Sequence, residues 1–237
     1  MLKKKSLTIV FPVYNEEKRL KNLFNSIKNT KIKNLKIFFI FVNDGSTDTT
    51  AKKIKKFIKD EKSKNYKLIE NSKNQGKGFS IKKGVLTSNT DWILTADVDL
   101  SVELNQVFQW IRKKYINNKT HIYWGSRSHR LSILKTKISR VYLGNIFKFL
   151  LKILFDINKF DTQCGFKLYN KKFKNIFSKL NLKGFSHDVE IYLICKKLNY
   201  DINFLPVKWT HKKNGKINFF SPFKMFIELL ILKLKYS

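Results

Sequence analysis

The 237-residue sequence predicts an α/β fold, a Rossmann-like and mostly parallel sheet flanked by helices. Three observations lead there. Through the first half of the chain, short apolar runs alternate with lysine-studded segments of helical length. The runs are continuously apolar rather than alternating, as strands covered on both faces are. No fixed-period repeat and no Gly/Ser or Pro linker divides the chain, so 1–237 reads as one domain.

The first run, LTIVFPV, follows a basic amino terminus. Pro12 breaks it, and Asn15, Glu16 and Glu17 end it without a small-residue cleavage site, which makes it a first strand rather than a signal peptide. A helix is expected over 16–29, a strand at KIFFIFV, a helix over 47–60, a strand at YKLIE, a helix over 75–87, a strand at DWILTA, a helix over 103–115 and a strand at HIYWG. After Gly125 the pattern changes. Residues 138–157, ISRVYLGNIFKFLLKILFDI, set Asn145, Lys148, Lys152 and Asp156 three or four apart, hence on one narrow helical face. Nearly everything else there is Leu, Ile or Phe, an arc wider than a surface helix buries. FKMFIELLILKLKYS closes the chain in the same style. Packing on the core and contact with a membrane both account for such helices, and neither reaches the ~20 apolar residues of a spanning helix.

With 49 Lys+Arg against 17 Asp+Glu, the formal charge of +32 calls for an anionic neighbour: nucleic acid, an acidic membrane or a phosphorylated substrate. Lys, Asn, Ile and Phe are abundant together, so compositional drift explains much of the total and only local clusters carry weight. A nucleic-acid binder would interleave aromatics with Lys/Arg on an exposed surface, whereas Phe here falls in apolar runs. Cys164 and Cys195 form no CxxC, no zinc spacing and no disulfide framework, which points to a reducing, cytosolic face.

In an open parallel sheet, ligands bind beyond the carboxyl ends of the strands. Four polar clusters fall at such ends: PVYNE at 12–16, NDGSTD at 43–48, ADVD at 96–99 and GSR at 125–127. Singly they read as an N-cap at Asn15 or Thr47, a turn at Asp44 and Gly45, and a surface charge at Arg127. Together they converge on one rim. Asp97 and Asp99 repel each other unless a cation lies between them, and oxygen-only ligands favour Mg²⁺ or Mn²⁺ bridged to substrate phosphates.

The ordered series IVFPVYNEE, VNDGSTD, NQGKG, TADVDLS and GSR resembles family 2 glycosyltransferases of the GT-A fold, inverting nucleotide-sugar enzymes. DTQCGFKLY at 161–169, DVEIYLICKKLNYDINFLPVKW at 188–209 and SPFKMFIELLILKLKY at 221–236 resemble the dolichyl-phosphate β-glucosyltransferase branch. The resemblance implies a nucleotide-sugar half, 1–127, and an acceptor and membrane-interface half, 128–237. It implies that Pro12, Tyr14, Glu16 and Asp44 line a uridine pocket, with Lys77 near the nucleotide. Asp97 and Asp99 would hold Mg²⁺ or Mn²⁺ and the diphosphate, and Arg127 would meet a phosphate. Asp161, Gln163 and Arg130 would belong to the sugar and acceptor pocket. Asp188 would serve as an orienting carboxylate or base, completing a catalytic set with Asp99 and Arg127. Glu190, two residues on, would be a helix-terminus charge.

Three departures accompany the likeness. Ser101 stands where many relatives have glutamine, His187 where this branch usually has Phe, and the amino-terminal anchor typical of eukaryotic members is missing. The expected activity is glucose transfer from UDP-glucose to a polyprenyl phosphate, by a peripheral enzyme on the cytoplasmic side of an anionic membrane. Another donor, GDP-mannose or a different UDP-hexose, is the alternative, and nucleic-acid binding a distant one. The 138–157 helix is expected to dock through Phe147, Leu150 and Leu154.

Overall fold

The computed structural model of the chain describes residues 5–30, 35–116, 120–135, 138–157, 161–212 and 221–236. Side chains of 138–145, Asn145 among them, lie outside the described residues. The first half alternates β1 (Ser6–Val13), α1 (Leu20–Lys28), β2 (Lys36–Asn43), α2 (Thr50–Glu61), β3 (Tyr66–Glu70), α3 (Lys77–Thr87), β4 (Trp92–Thr95), α4 (Asn105–Arg112) and β5 (Ile122–Ser126). α1, α2 and α3 start later than 16, 47 and 75 because the polar residues ahead of them are spent in loops that bind one another, and α4 starts two residues after 103. The second half holds β6 (Ile133–Lys135), α5 (Ile138–Phe155), β7 (Lys167–Asn170), α6 (Asn175–Ser178), α7 (His187–Lys197), β8 (Ile202–Pro206), β9 (Lys208–Thr210) and α8 (Ser221–Tyr236).

Seven strands form one sheet in the order β3-β2-β1-β4-β7-β5-β8, and β6 pairs with β9 in a separate parallel ladder. β7 alone in the sheet runs against its neighbours, with Thr95 opposite Lys167 in β4 and Tyr123 opposite Leu168 in β5. Alternate side chains of each strand serve two layers, as the two-residue strand period requires. Leu7, Ile9 and Phe11 of β1 pack with Leu23 of α1 and Phe57 of α2, while Val10 and Val42 pack with Ile81 and Val85 of α3 and Ile194 of α7. Each such buried Leu, Ile or Phe contributes about 1.5–3 kcal/mol. Phe24 and Phe57 stack at 4.0 Å between ring centres, joining α1 to α2 over the first layer.

A third cluster joins α5, α7 and α8 through Leu151, Val189, Leu193, Leu229 and Leu232. Phe147, Leu150 and Leu154 pack against it, which corrects the sequence reading of them as an outward face. The outward apolar residues of α5 are Ile146, Phe149 and Ile153, at 59%, 61% and 61% exposure. Phe223, Ile231 and Leu234 face outward from α8. Among the described residues no helix is long and apolar enough to cross a membrane.

Candidate active site

Six of the seven sheet strands run the same way, so β1, β2, β4 and β5 all end at one edge. There the turns after β1 and β2 lock together. The Asn15 N–H donates to Ser46 Oγ at 2.9 Å, Asn15 Oδ1 accepts from the Thr47 N–H at 2.8 Å, and the Glu16 N–H donates to Thr50 Oγ1 at 2.8 Å. Asn15 holds the left-handed φ of 49° that Asn tolerates better than most residues. Pro12 is half-buried and Tyr14 exposed beside this lock.

Two carboxylates expected to receive a nucleoside are turned to the protein instead. Glu16 takes a two-pronged bond from Arg19, at 2.9 and 3.1 Å. Asp44 is buried; its Oδ1 accepts from Asn71 Nδ2 at 2.8 Å and the Gln75 N–H at 3.0 Å, and its Oδ2 from the Gly76 N–H at 2.8 Å. Asp44 thus anchors the loop that precedes α3. Gly76 is required in that loop: its φ is 104°, and a Cβ would lie 2.4 Å from the Lys183 carbonyl oxygen.

The anchored loop delivers Lys77, the first residue of α3, to the end of β4. Lys77 Nζ lies 2.6 Å from Asp97 Oδ1. Partial burial lowers the pKa of that ammonium, but Asp97, Asp188 and Asp99 outweigh it and leave it above its ordinary value. Burial likewise pushes the Asp97 carboxyl up, and Lys77 more than offsets this, holding it below the usual carboxylate range. Asp99 Oδ1 accepts from the Ser101 N–H at 2.8 Å. Across the cleft the chain is bare at Gly165, where a Cβ would stand 2.4 Å from Asp97 Oδ2. Asp97, Ser101, Gly165, Phe166 and Trp209 line this small cleft.

The donor chemistry here fits a hard divalent ion: two carboxylates one residue apart, half-exposed, with the Asp97 carboxylate packed so closely on Gly165 that no side chain fits between them. Among the described residues no group of three or more His, Cys, Asp or Glu is close enough to hold a metal ion alone.

Behind the cleft lies a charge pair that only half emerges from the sequence. Lys167, in β7, is 1% exposed; its Nζ lies 2.8 Å from Asp188 Oδ1, donates to the Cys164 carbonyl at 2.7 Å and sits 4.7 Å from the Trp124 ring centre. His187 Nε2 lies 3.1 Å from the same Asp188 oxygen, and its Nδ1 is 2.8 Å from the Gly184 carbonyl oxygen. Burial pushes the Asp188 carboxyl up, but His187, Lys167 and Lys77 outweigh it and hold it well below the usual carboxylate range. Lys167 was detectable in FKLY as the one charge inside an apolar strand. Glu190 lies in the first turn of α7, the helix-terminus charge expected, and also accepts the N–H groups of Asn181 and Leu182, at 2.9 and 2.8 Å, and the Lys235 ammonium at 2.9 Å. It fastens α8 to the segment ahead of α7.

Arg127 and Asp161, assigned separately to a phosphate and to a sugar pocket, are bound to each other. Arg127 donates through Nε at 2.6 Å, Nη2 at 2.8 Å and its backbone N–H at 2.9 Å. Burial lowers the Arg127 guanidinium, and Asp161 more than reverses this. The guanidinium lies over the Trp209 ring at 5.7 Å. Gln163 stands two residues on, its Nε2 buried with no hydrogen-bond partner among the described residues, whereas Arg130 is exposed in the turn after β5. The structure therefore brings Lys77, Asp97, Asp99 and Asp188 into one electrostatic group, places Arg127, Asp161 and Gln163 beside it, and leaves Arg130 at the surface.

Comparison with known proteins identifies the family. The model of glycosyl transferase family 2 matches residues 8–177. The chain is 33% identical to the dolichyl-phosphate beta-glucosyltransferase of Dictyostelium discoideum over 97% of its own length and 74% of that protein's. It is 32% identical to the Homo sapiens protein of that name, over 98% and 76% respectively. Among solved structures, glucosyl-3-phosphoglycerate synthase from Mycobacterium tuberculosis, crystallised with Mn²⁺, UDP-glucose and phosphoglyceric acid, matches with a TM-score of 0.71 at 14% identity, over 98% of this chain and 81% of that one. A parallel sheet ending in an Asp97–Asp99 rim, together with full-length likeness of this degree, places the chain in glycosyl transferase family 2 as a GT-A glycosyltransferase of the dolichyl-phosphate β-glucosyltransferase-like branch.

Proposed function

We propose that the chain transfers glucose from UDP-glucose to a polyprenyl phosphate of the dolichyl type at the surface of a membrane, inverting the anomeric carbon and releasing UDP. The observation that carries this reading is the grouping of Lys77, Asp97 and Asp99 at the strand ends, in a chain whose likeness to dolichyl-phosphate beta-glucosyltransferases extends over 97% of its length. The names of those relatives support the sugar and the lipid phosphate. The UDP-glucose and Mn²⁺ held by the mycobacterial neighbour support the donor and the ion. Residues 1–127 and 128–237 act in this reading as donor and acceptor halves of one domain.

A divalent ion at Asp97 and Asp99 would offset the charge that collects on the leaving diphosphate. Lys77 supplies a further positive charge at that place. The acceptor oxygen forms its bond to C1 as the bond from C1 to the diphosphate breaks. A lipid phosphate is already anionic at neutral pH, so no proton has to leave it, and placement governs the rate. Asp188, ionised and held by Lys167, serves as a positioning residue rather than a base. Arg127 spends Nε and Nη2 on Asp161, which aims the guanidinium and leaves Nη1 to meet a phosphate.

The outward apolar residues of α5 and α8 would enter the headgroup boundary, and nearby lysines would add about 1 kcal/mol each against an anionic leaflet. Both cysteines are free, as a cytoplasmic face allows. The purified protein with Mn²⁺ or Mg²⁺, a short polyprenyl phosphate and a panel of radiolabelled nucleotide sugars provides the test. Label from UDP-glucose should enter the lipid phase. Label entering from GDP-mannose instead would transfer the protein to a mannosyl donor.

A further inference from the structure

We propose that Lys77 is the resident counter-ion of the two-carboxylate site, and that it makes binding of the divalent ion conditional on the diphosphate. This rests on reading Asp97 and Asp99 as ion ligands, and it adds what occupies that site before the ion arrives.

The geometry of the site sets up a competition. Lys77 Nζ stands 2.6 Å from Asp97 Oδ1, on an oxygen the ion would need. Two cations cannot both lie against one carboxylate unless further anions join them, because at such separations their repulsion is strong even at protein-surface dielectric. The lysine and the aspartate differ in their freedom to move apart. The backbone of Lys77 is fixed: the Gln75 and Gly76 N–H groups are held by Asp44, and the Phe79 N–H donates to the Lys183 carbonyl at 3.2 Å. Its four-carbon stem is flexible, and the side chain is 24% exposed, so the ammonium can swing. Asp97 stands one residue beyond β4, after buried Ala96, and its second oxygen packs on bare Gly165.

Charge balance selects the partner that releases the lysine. Lys77 and Lys167 stand against Asp97, Asp99 and Asp188, a group of net charge −1 when the lysine is in place. A divalent ion entering alone would turn that to +1, with ion and ammonium crowded against Asp97. An ion entering with a nucleoside diphosphate brings its own anion, and the displaced ammonium then has phosphate oxygens to bind. Metal and nucleotide therefore bind together, with Lys77 exchanging Asp97 for phosphate.

The test is a Mn²⁺ titration of the full chain, read from the electron paramagnetic resonance signal of free Mn²⁺, with and without UDP. A parallel titration measures UDP binding without metal. In the native protein UDP should tighten Mn²⁺ binding at least about tenfold. Lys77→Met should bind Mn²⁺ alone about tenfold more tightly than native does, yet bind metal-free UDP more weakly. These opposite signs separate the proposal from simple damage to the fold, which would weaken both. Lys77→Arg keeps the charge and should leave nucleotide-free Mn²⁺ binding as weak as in the native protein. The proposal is overturned if Lys77→Met, shown to be folded by circular dichroism, binds Mn²⁺ alone no more tightly than native. If Asp99→Asn binds Mn²⁺ with UDP as well as native does, the ion-site reading falls first and the role of the lysine with it.

Discussion

Helices α2 and α8 are both rich in lysine and both lie on a core, yet they treat their outer faces in opposite ways. α2 buries Thr50, Ile54 and Phe57 and gives water a row of lysines. α8 buries Leu229 and Leu232 but also turns Phe223, Ile231 and Leu234 outward, the last at 87% exposure. α5 repeats the arrangement with Leu151 inside and Phe149 outside. A helix with one apolar stripe is complete in water. A helix with two has its second face uncovered, and an apolar patch of this kind marks a contact surface. α2 thus turns a polar face to water, while α5 and α8 carry a surface suited to the proposed lipid neighbour.

The largest effect expected along this division comes from the donor side. Asp99→Asn should lower turnover by about a hundred- to a thousandfold while leaving the melting temperature and vesicle binding unchanged. Loss of vesicle binding in that variant would mean that the two halves are not separable in this way. A paired set of substitutions tests the two faces of α5. Phe147, Leu150 and Leu154 changed together to Ser should cost ~3 kcal/mol or more, because they pack on the third cluster. Ile146, Phe149 and Ile153 changed to Ser should alter stability by no more than about 0.5 kcal/mol each, yet abolish co-sedimentation with anionic vesicles at high salt. Equal destabilisation by both triples would remove the distinction between the faces. The smallest effect belongs to α2. Lys56 and Asp60 pair at 3.1 Å with most of both side chains in water, and Lys56→Gln should shift stability by less than about 0.5 kcal/mol in chemical denaturation.

Asp97 and Asp99 could be located from the sequence because their meaning is local: a buried strand ends, and two carboxylates follow. The same holds for the succession of strands from LTIVFPV to HIYWG, where hydrophobic runs and their spacing dictate a parallel sheet, whereas Lys77 was assigned only through the family resemblance. The antiparallel entry of β7 between β4 and β5 was not visible. A four-residue strand has no directional signature of its own, and its direction is set by where residues 161–166 return to the sheet.

Partner choice among charges lies further from reach. Arg127 finds Asp161 34 residues away, Glu190 finds Lys235 45 residues away, and Asp44 turns to the loop at 75–76 rather than to open solvent. Each carboxylate had several cations and N–H groups within chemical reason, and only the packed distances select one. The rotation of α5 was misread for a related reason. When apolar residues surround a helix almost completely, periodicity no longer says which side is buried, and the answer passes to the neighbours: Val189, Leu193, Leu229 and Leu232, brought from α7 and α8 to meet Leu151. Periodicity and strand-end chemistry are carried by residues a few positions apart, so the chain alone specifies the sheet and its carboxylate rim. Pairing of charges and the seating of a nearly all-apolar helix depend on groups far apart in the chain, so folding had to bring them together before either could be read.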